Sequence, residues 1–174
     1  KTWTNKQIVQ RSCGKFRREW ETSSMKEKSY TPENYPILRY GDVLLMLAEA
    51  ENEAHQGPTD LAYECINEIR QRAGISKLEG LSYTDFQQAV RDERARELCF
   101  ESLRKYDLVR WGIYVEAVHD KLGAATQDKR WATGNQFIGA RDYAARTQEK
   151  HQFLPIPTKE LDVNGKLEQN KYWQ

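Results

Sequence analysis

The chain is poor in the residues from which small proteins most often build a site. It has only three cysteines, Cys13, Cys65 and Cys99, widely spaced and without a CxxC pair. A disulfide framework and a zinc ribbon are therefore excluded, since both need cysteines paired at short fixed spacings. Cys65 and Cys99 are expected to act as small buried hydrophobes. The three histidines, His55, His119 and His151, form no HExxH and have no partner four residues away, so neither a metal nor a cofactor is expected. A phosphate-binding glycine loop and a nucleophile elbow are also missing. Charge of one sign is equally scarce, with 27 Lys+Arg against 26 Asp+Glu and a formal net charge of +1. Without a clustered basic excess, dedicated nucleic-acid binding is excluded. No run approaches the ~18 uncharged apolar residues that span a bilayer. There is no leader-like opening or initiator Met, because the chain starts Lys1-Thr2-Trp3-Thr4-Asn5. What remains is expected to be one soluble domain of 174 residues, burying about 70% of its unfolded surface, and a piece of a longer protein.

Residues 1–36 read as an irregular lead-in with one short strand around Lys15–Trp20. Thr31-Pro32 and Tyr35-Pro36 push the chain into an extended approach. From Ile37 to His55 the period becomes helical, with Leu38, Val43, Leu44, Leu47, Ala48 and Ala50 as the expected inner face. Gly57-Pro58 stops this helix, and Thr59 is predicted to cap a second helix reaching about Ala73. That helix sets Ala62, Ile66, Ile69 and Ala73 on one face, pairs Glu68 with Arg72 at i, i+4, and stops at Gly74 as a left-handed cap. Thr84-Asp85-Phe86-Gln87 has the form of a capping box that opens a third helix through roughly Glu101, with Phe86, Val90, Leu98 and Cys99 inward. A fourth is expected from about Ser102 to Leu122, weakened at Gly112 by ~1 kcal/mol relative to Ala.

The expected fold is therefore all-α. It consists of tetratricopeptide-like helical hairpins at about 37–73 and 84–122, carrying long irregular loops. Residues 123–152 show no period and read as a loop of functional length. Residues 153–174 read as an extended piece, Phe153-Leu154-Pro155-Ile156-Pro157, followed by a turn near Thr158–Leu161.

The most enzyme-like feature is the charged run Glu93, Arg94, Arg96, Glu97, Glu101, Arg104, Asp107 and Arg110. Two carboxylates could act as an acid and base pair for glycoside hydrolysis if a cleft held them at a suitable separation. On successive helical turns, however, such residues are expected to form ion pairs, so a structural role is predicted and no catalytic residue is assigned. Arg39 and Asp42 are read the same way. The aromatics divide: Phe86, Phe100, Tyr106 and Trp111 are expected in the core, while Trp3, Trp20, Trp131, Phe137 and Tyr143 lie in loops. An aromatic face can pack on the apolar face of a sugar while polar groups orient its hydroxyls. Trp131, Asn135, Arg141 and Tyr143 form the best local platform of this kind, with Trp3 and Trp20 as further candidates.

Five segments in order resemble the C-terminal domain of SusD/RagB proteins. They are Tyr35-Pro36-Ile37-Leu38-Arg39-Tyr40-Gly41-Asp42-Val43-Leu44-Leu45-Met46-Leu47-Ala48-Glu49-Ala50, Ile66-Asn67-Glu68-Ile69-Arg70-Gln71-Arg72-Ala73-Gly74, Glu93-Arg94-Ala95-Arg96-Glu97-Leu98-Cys99-Phe100-Glu101, Asp107-Leu108-Val109-Arg110-Trp111, and Leu154-Pro155-Ile156-Pro157 with Gln169-Asn170. The resemblance covers about Tyr35 to Trp173, so residues 37–174 are expected to be such a domain. It implies an outer-membrane surface lipoprotein that captures an oligosaccharide without changing it and passes it to a SusC-like TonB-dependent transporter. The lipid anchor would lie on an N-terminal part beyond this chain. A repeat scaffold that docks a partner protein, or a relative that binds peptide or another nutrient, is the alternative. Ser102 departs from the resemblance, which has Gly after Phe-Glu.

Overall fold

The computed structural model describes residues 13–22, 31–122 and 135–174. Among the described residues all regular structure is helical, and none of these helices is long and apolar enough to cross a membrane. The chain divides into two compact units, one running from Cys13 to Arg104 and the other including Lys105 to Gln174.

In the first unit, α1 (Tyr40–His55), α2 (Asp60–Arg72) and α3 (Tyr83–Glu97) pack on one another. Helix α1 starts three residues later than Ile37, because Arg39 is extended (φ −138°, ψ 161°) and leaves Ile37 and Leu38 exposed. At the α1–α2 turn, Thr59 accepts the Ala62 N–H at 3.1 Å and donates its hydroxyl to Glu51 at 2.7 Å. One side chain thus caps α2 and ties it to α1. Gly74 adopts φ +72° where α2 ends, and the Ile75 N–H returns to the Arg70 carbonyl at 3.0 Å. The cap of α3 is Ser82, which accepts the Asp85 N–H at 3.2 Å, two residues before the predicted Thr84. In the lead-in, Arg18–Trp20 forms a 3-10 turn where a strand was expected.

The core of this unit is Leu45, Ala48, Ala62, Ile66, Phe86 and Val90, all fully buried. Each large apolar member contributes about 1.5–3 kcal/mol. The buried face of α1 differs from the predicted one. Val43, Leu47 and Ala50 are exposed, while Asp42 and Asn52 are inside. Asp42 is bonded there to Arg94, and Asn52 donates its amide N–H to the Tyr83 carbonyl at 3.2 Å while its Oδ1 has no partner among the described residues.

The charged run proves to be an internal frame. Arg94 donates to Asp42 at 2.8 Å, with both side chains buried, and Arg70 donates to Glu93 at 2.7 Å. Arg39 reaches Glu101 at 2.7 Å and Glu97 at 2.6 Å, while Arg72 adds to Glu97 and Lys15 to Glu101. Arg72 therefore pairs across to α3 rather than with Glu68. The Arg39 guanidinium lies so close over Gly41 that a Cβ there would come within 2.7 Å of its Nη1. Burial alone would raise the Glu97 and Glu101 carboxyls. The hydrogen bonds from Arg39, joined by Arg72 and Lys15 respectively, outweigh it and hold both below the usual carboxylate range.

Beyond α3 the chain turns sharply through Phe100 (φ +66°) and Ser102 (φ +62°), so the helical spacing predicted to Glu101 is lost. Cys99 and Phe100, expected inside, are exposed as a result, whereas Leu98 stays buried. Ser102 occupies the left-handed conformation that glycine tolerates best, at the position where the SusD/RagB resemblance has Gly. Ser102→Gly is expected to raise stability by up to about 1 kcal/mol, read as a higher urea midpoint with an unchanged slope. An unchanged or lower midpoint would count against a strained turn.

In the second unit, α4 (Arg104–Arg110) ends where Gly112 takes φ +70° and the Ile113 N–H bonds back to Leu108. The chain resumes as α5 (Tyr114–Ala117) and a π-turn at Val118–Leu122. The predicted 84–122 hairpin is thus divided between the two units. Leu108, Tyr114, Val118 and Ala144 form the core here, and Tyr106, predicted inside, is 70% exposed. The predicted loop 123–152 contains α6 (Asn135–Arg146) and a 3-10 turn at Glu149–Gln152. Helix α7 (Thr158–Val163) extends the expected turn. Gln169 holds the Pro-Ile-Pro segment through both Ile156 backbone groups, at 2.8 and 2.9 Å. The Trp173 indole N–H is shared by the Lys150 and Phe153 carbonyls.

Candidate functional site

Gly139, Asp142, Tyr143 and Arg146 recur at spacings of three and four along α6, which sets them on one face. With Lys105 of α4, Thr147 and His151, they line a cavity of about 410 Å³. That volume lies within the range of about 300–1,000 Å³ usual for small-molecule sites.

The cavity wall is held by its own hydrogen bonds. Thr147 is buried, with its hydroxyl donating to the Tyr143 carbonyl at 2.8 Å and its carbonyl accepting the His119 Nε2–H at 2.8 Å. His151 accepts the Gln148 N–H on Nδ1 at 2.9 Å, which leaves the ring proton on Nε2. Tyr143 is half exposed, and its hydroxyl bonds to that of the buried Tyr114. Burial first, and that bond second, push the Tyr114 phenol up to about 12, so it stays neutral at ordinary pH and serves as an anchor rather than a base. The arrangement offers one ring face, N–H donors and a single carboxylate, which suits holding a polar ligand.

Of the predicted platform, Tyr143 is the member that the described residues place in this cavity. Arg141 is two residues away, about 200° around the helix, and its exposed side chain approaches Asp142 at 3.9 Å. Asn135 starts α6, but its side chain lies outside the described residues, as do Trp131 and Trp3 and the Phe137 side chain. Trp20 belongs to the other unit, 62% exposed with the Arg17 guanidinium 5.3 Å from its ring centre. Sequence reasoning missed Lys105, Asp142, Arg146, Thr147 and His151. The signal available for α6 was its alanines, Ala140, Ala144 and Ala145, which are the strongest helix formers.

A sequence model described as the SusD family matches residues 4–173. The SusD-like protein P25 of Formosa agariphila is 40% identical over 139 residues, covering 78% of this chain and 23% of that protein. The SusD-like protein P2 of the same organism is 29% identical, covering 79% and 25%. Among solved structures, a SusD homolog from Bacteroides thetaiotaomicron superposes with a TM-score of 0.71 at 37% identity, covering 88% of this chain and 30% of that one. A SusD superfamily protein from Bacteroides vulgatus gives 0.61 at 31% identity, covering 84% and 29%. The chain thus spans about a quarter of the length of the curated relatives it matches.

Proposed function

The chain belongs to the SusD family, and on that premise we propose that it takes part in binding a glycan at the bacterial cell surface without altering it chemically. The whole protein, in this reading, is a lipid-anchored outer-membrane protein that delivers its ligand to a SusC-like TonB-dependent transporter. Residues 37–174 form its SusD-type C-terminal domain. The family match over residues 4–173 carries the reading. Two local features support it: the carboxylates of the charged run are engaged by Arg and Lys, and the half-exposed Tyr143 ring borders a cavity of ligand size. Tyr143 is assigned the sugar-stacking role. In this reading Trp131, Asn135, Trp3 and Trp20 remain further candidate ligand contacts, and Arg141, on the far side of α6 from the cavity, is a candidate donor outside it.

Calorimetry of the intact protein against a panel of neutral and acidic oligosaccharides tests this reading. At least one oligosaccharide is expected to bind, and Tyr143→Ala to weaken it about tenfold, equivalent to ~1.4 kcal/mol. Binding of peptides with no affinity for any oligosaccharide would overturn the glycan assignment. Unchanged affinity in the variant would remove Tyr143 from the site.

A further inference from the structure

The α6 cavity carries a charge pattern that sugar stacking does not require. Lys105 and Arg146 both line it, against the single carboxylate of Asp142. Among the described residues, neither cation has a carboxylate within ion-pair distance. The Lys105 Nζ lies 5.4 Å from the centre of the Tyr114 ring, which positions the ammonium without neutralising it. Asp142 has its nearest cation outside the cavity, in Arg141 at 3.9 Å. His151, held through Nδ1, keeps an N–H donor on Nε2.

The contrast with the first unit is instructive. There Arg39, Arg70 and Arg94 each meet a carboxylate within 3 Å. A guanidinium and an ammonium that share one cavity repel each other, and an anion entering between them relieves that repulsion. A carboxylate or sulfate can accept two parallel N–H bonds from the guanidinium, which a sugar hydroxyl cannot match. Asp142 is suited to accept from neighbouring hydroxyls, and the Tyr143 ring to cover an apolar sugar face.

We propose that this cavity is a subsite for an acidic sugar, whose carboxylate or sulfate is held by Arg146 and Lys105. The inference rests on the glycan reading and deepens it by naming the ligand class. It is tested by calorimetry on the intact protein with three oligosaccharides of equal length: an oligogalacturonate, a sulfated galactan oligomer lacking carboxylates, and a neutral galactan oligomer. At least one acidic oligomer is expected to bind about tenfold or more tightly than the neutral one, and to weaken as salt is raised. Which acidic oligomer binds separates carboxylate from sulfate. Arg146→Gln and Lys105→Gln are each expected to bring the affinity for the acidic oligomer down to that of the neutral one and to abolish its salt dependence, and circular dichroism of these exposed substitutions checks that the helices persist. Equal affinity for acidic and neutral oligomers, or a preference that survives both substitutions, overturns the acidic subsite and leaves the glycan reading standing. No binding to any oligosaccharide overturns that reading and the subsite with it.

Discussion

Replacing Asp42 with alanine is expected to destabilise the first unit by about 3–5 kcal/mol, the cost of breaking a buried ion pair by removing one member. The Asp42 and Arg94 side chains are 8% and 5% exposed and 2.8 Å apart. In water such a pair would contribute little, because solvent screens it and both side chains lose freedom. Inside the helix packing the balance changes, since the substitution takes a buried charged partner from a guanidinium that cannot be deprotonated. Hydrogen exchange of the α1, α2 and α3 amides under native conditions reads this unit separately from the other. A loss below about 1 kcal/mol would show that the pair is solvated in practice. The double substitution Asp42→Leu with Arg94→Met separates the pair's net worth from the cost of removing one member alone. It is expected to recover most of the stability, because apolar residues of similar volume often replace a buried pair without loss.

This pair also marks the boundary of what periodicity can reveal. Helix α2 was legible in its bounds and most of its facing, because Ala62, Ile66 and Ile69 lie on one apolar stripe between a hydroxyl cap at Thr59 and a left-handed stop at Gly74. Ala73, predicted inside, is nevertheless exposed at its end, and Arg72 pairs with Glu97 instead of Glu68. Helix α1 was legible as a helix but not in its facing. An apolar stripe search counts Asp42 and Asn52 as outward, and their burial depends on Arg94 and the Tyr83 carbonyl, 52 and 31 residues away in sequence. The same long range hides the Arg39 pairs with Glu97 and Glu101 from any i, i+4 rule. That the charged run is structural was expected from ion pairs on successive helical turns, and the structure places its main pairs between segments far apart in sequence.

The candidate site was less legible. Helix α6 buries Ala144 among its described side chains, so no apolar stripe announces it, and Gly139 lowers its propensity by about 1 kcal/mol relative to alanine. Without the helix, nothing places Asp142, Tyr143 and Arg146 on one side and Arg141 on another. Tyr143 could be found as a loop aromatic. Arg146 and Lys105 could not, because surface-type residues acquire meaning only when a cavity brings them together.

Phe86→Ala is expected to cost about 3–5 kcal/mol, the range for deleting a buried aromatic from a packed core. The side chain is fully buried between the three helices of the first unit, with its ring 5.0 Å from that of Tyr63 in an edge-on arrangement at 78°. Tyr63 in turn accepts the Leu81 N–H on its hydroxyl at 2.7 Å, so it fastens the segment leading into α3. Loss of the Phe86 ring therefore opens a cavity and frees the partner that holds that segment. The damage is expected to spread beyond α3 and to speed amide exchange at Leu81 along with the core of α2. Phe100→Ala supplies the contrast. Both phenylalanines were expected in the core as helical aromatics, but Phe100 lies past the end of α3 at 65% exposure. Its truncation is expected to change stability by no more than about 0.5 kcal/mol, as at other surface positions. Denaturant titration of the two variants side by side decides the matter. Comparable losses would mean that the chain does not turn at Phe100 and that α3 continues toward Glu101.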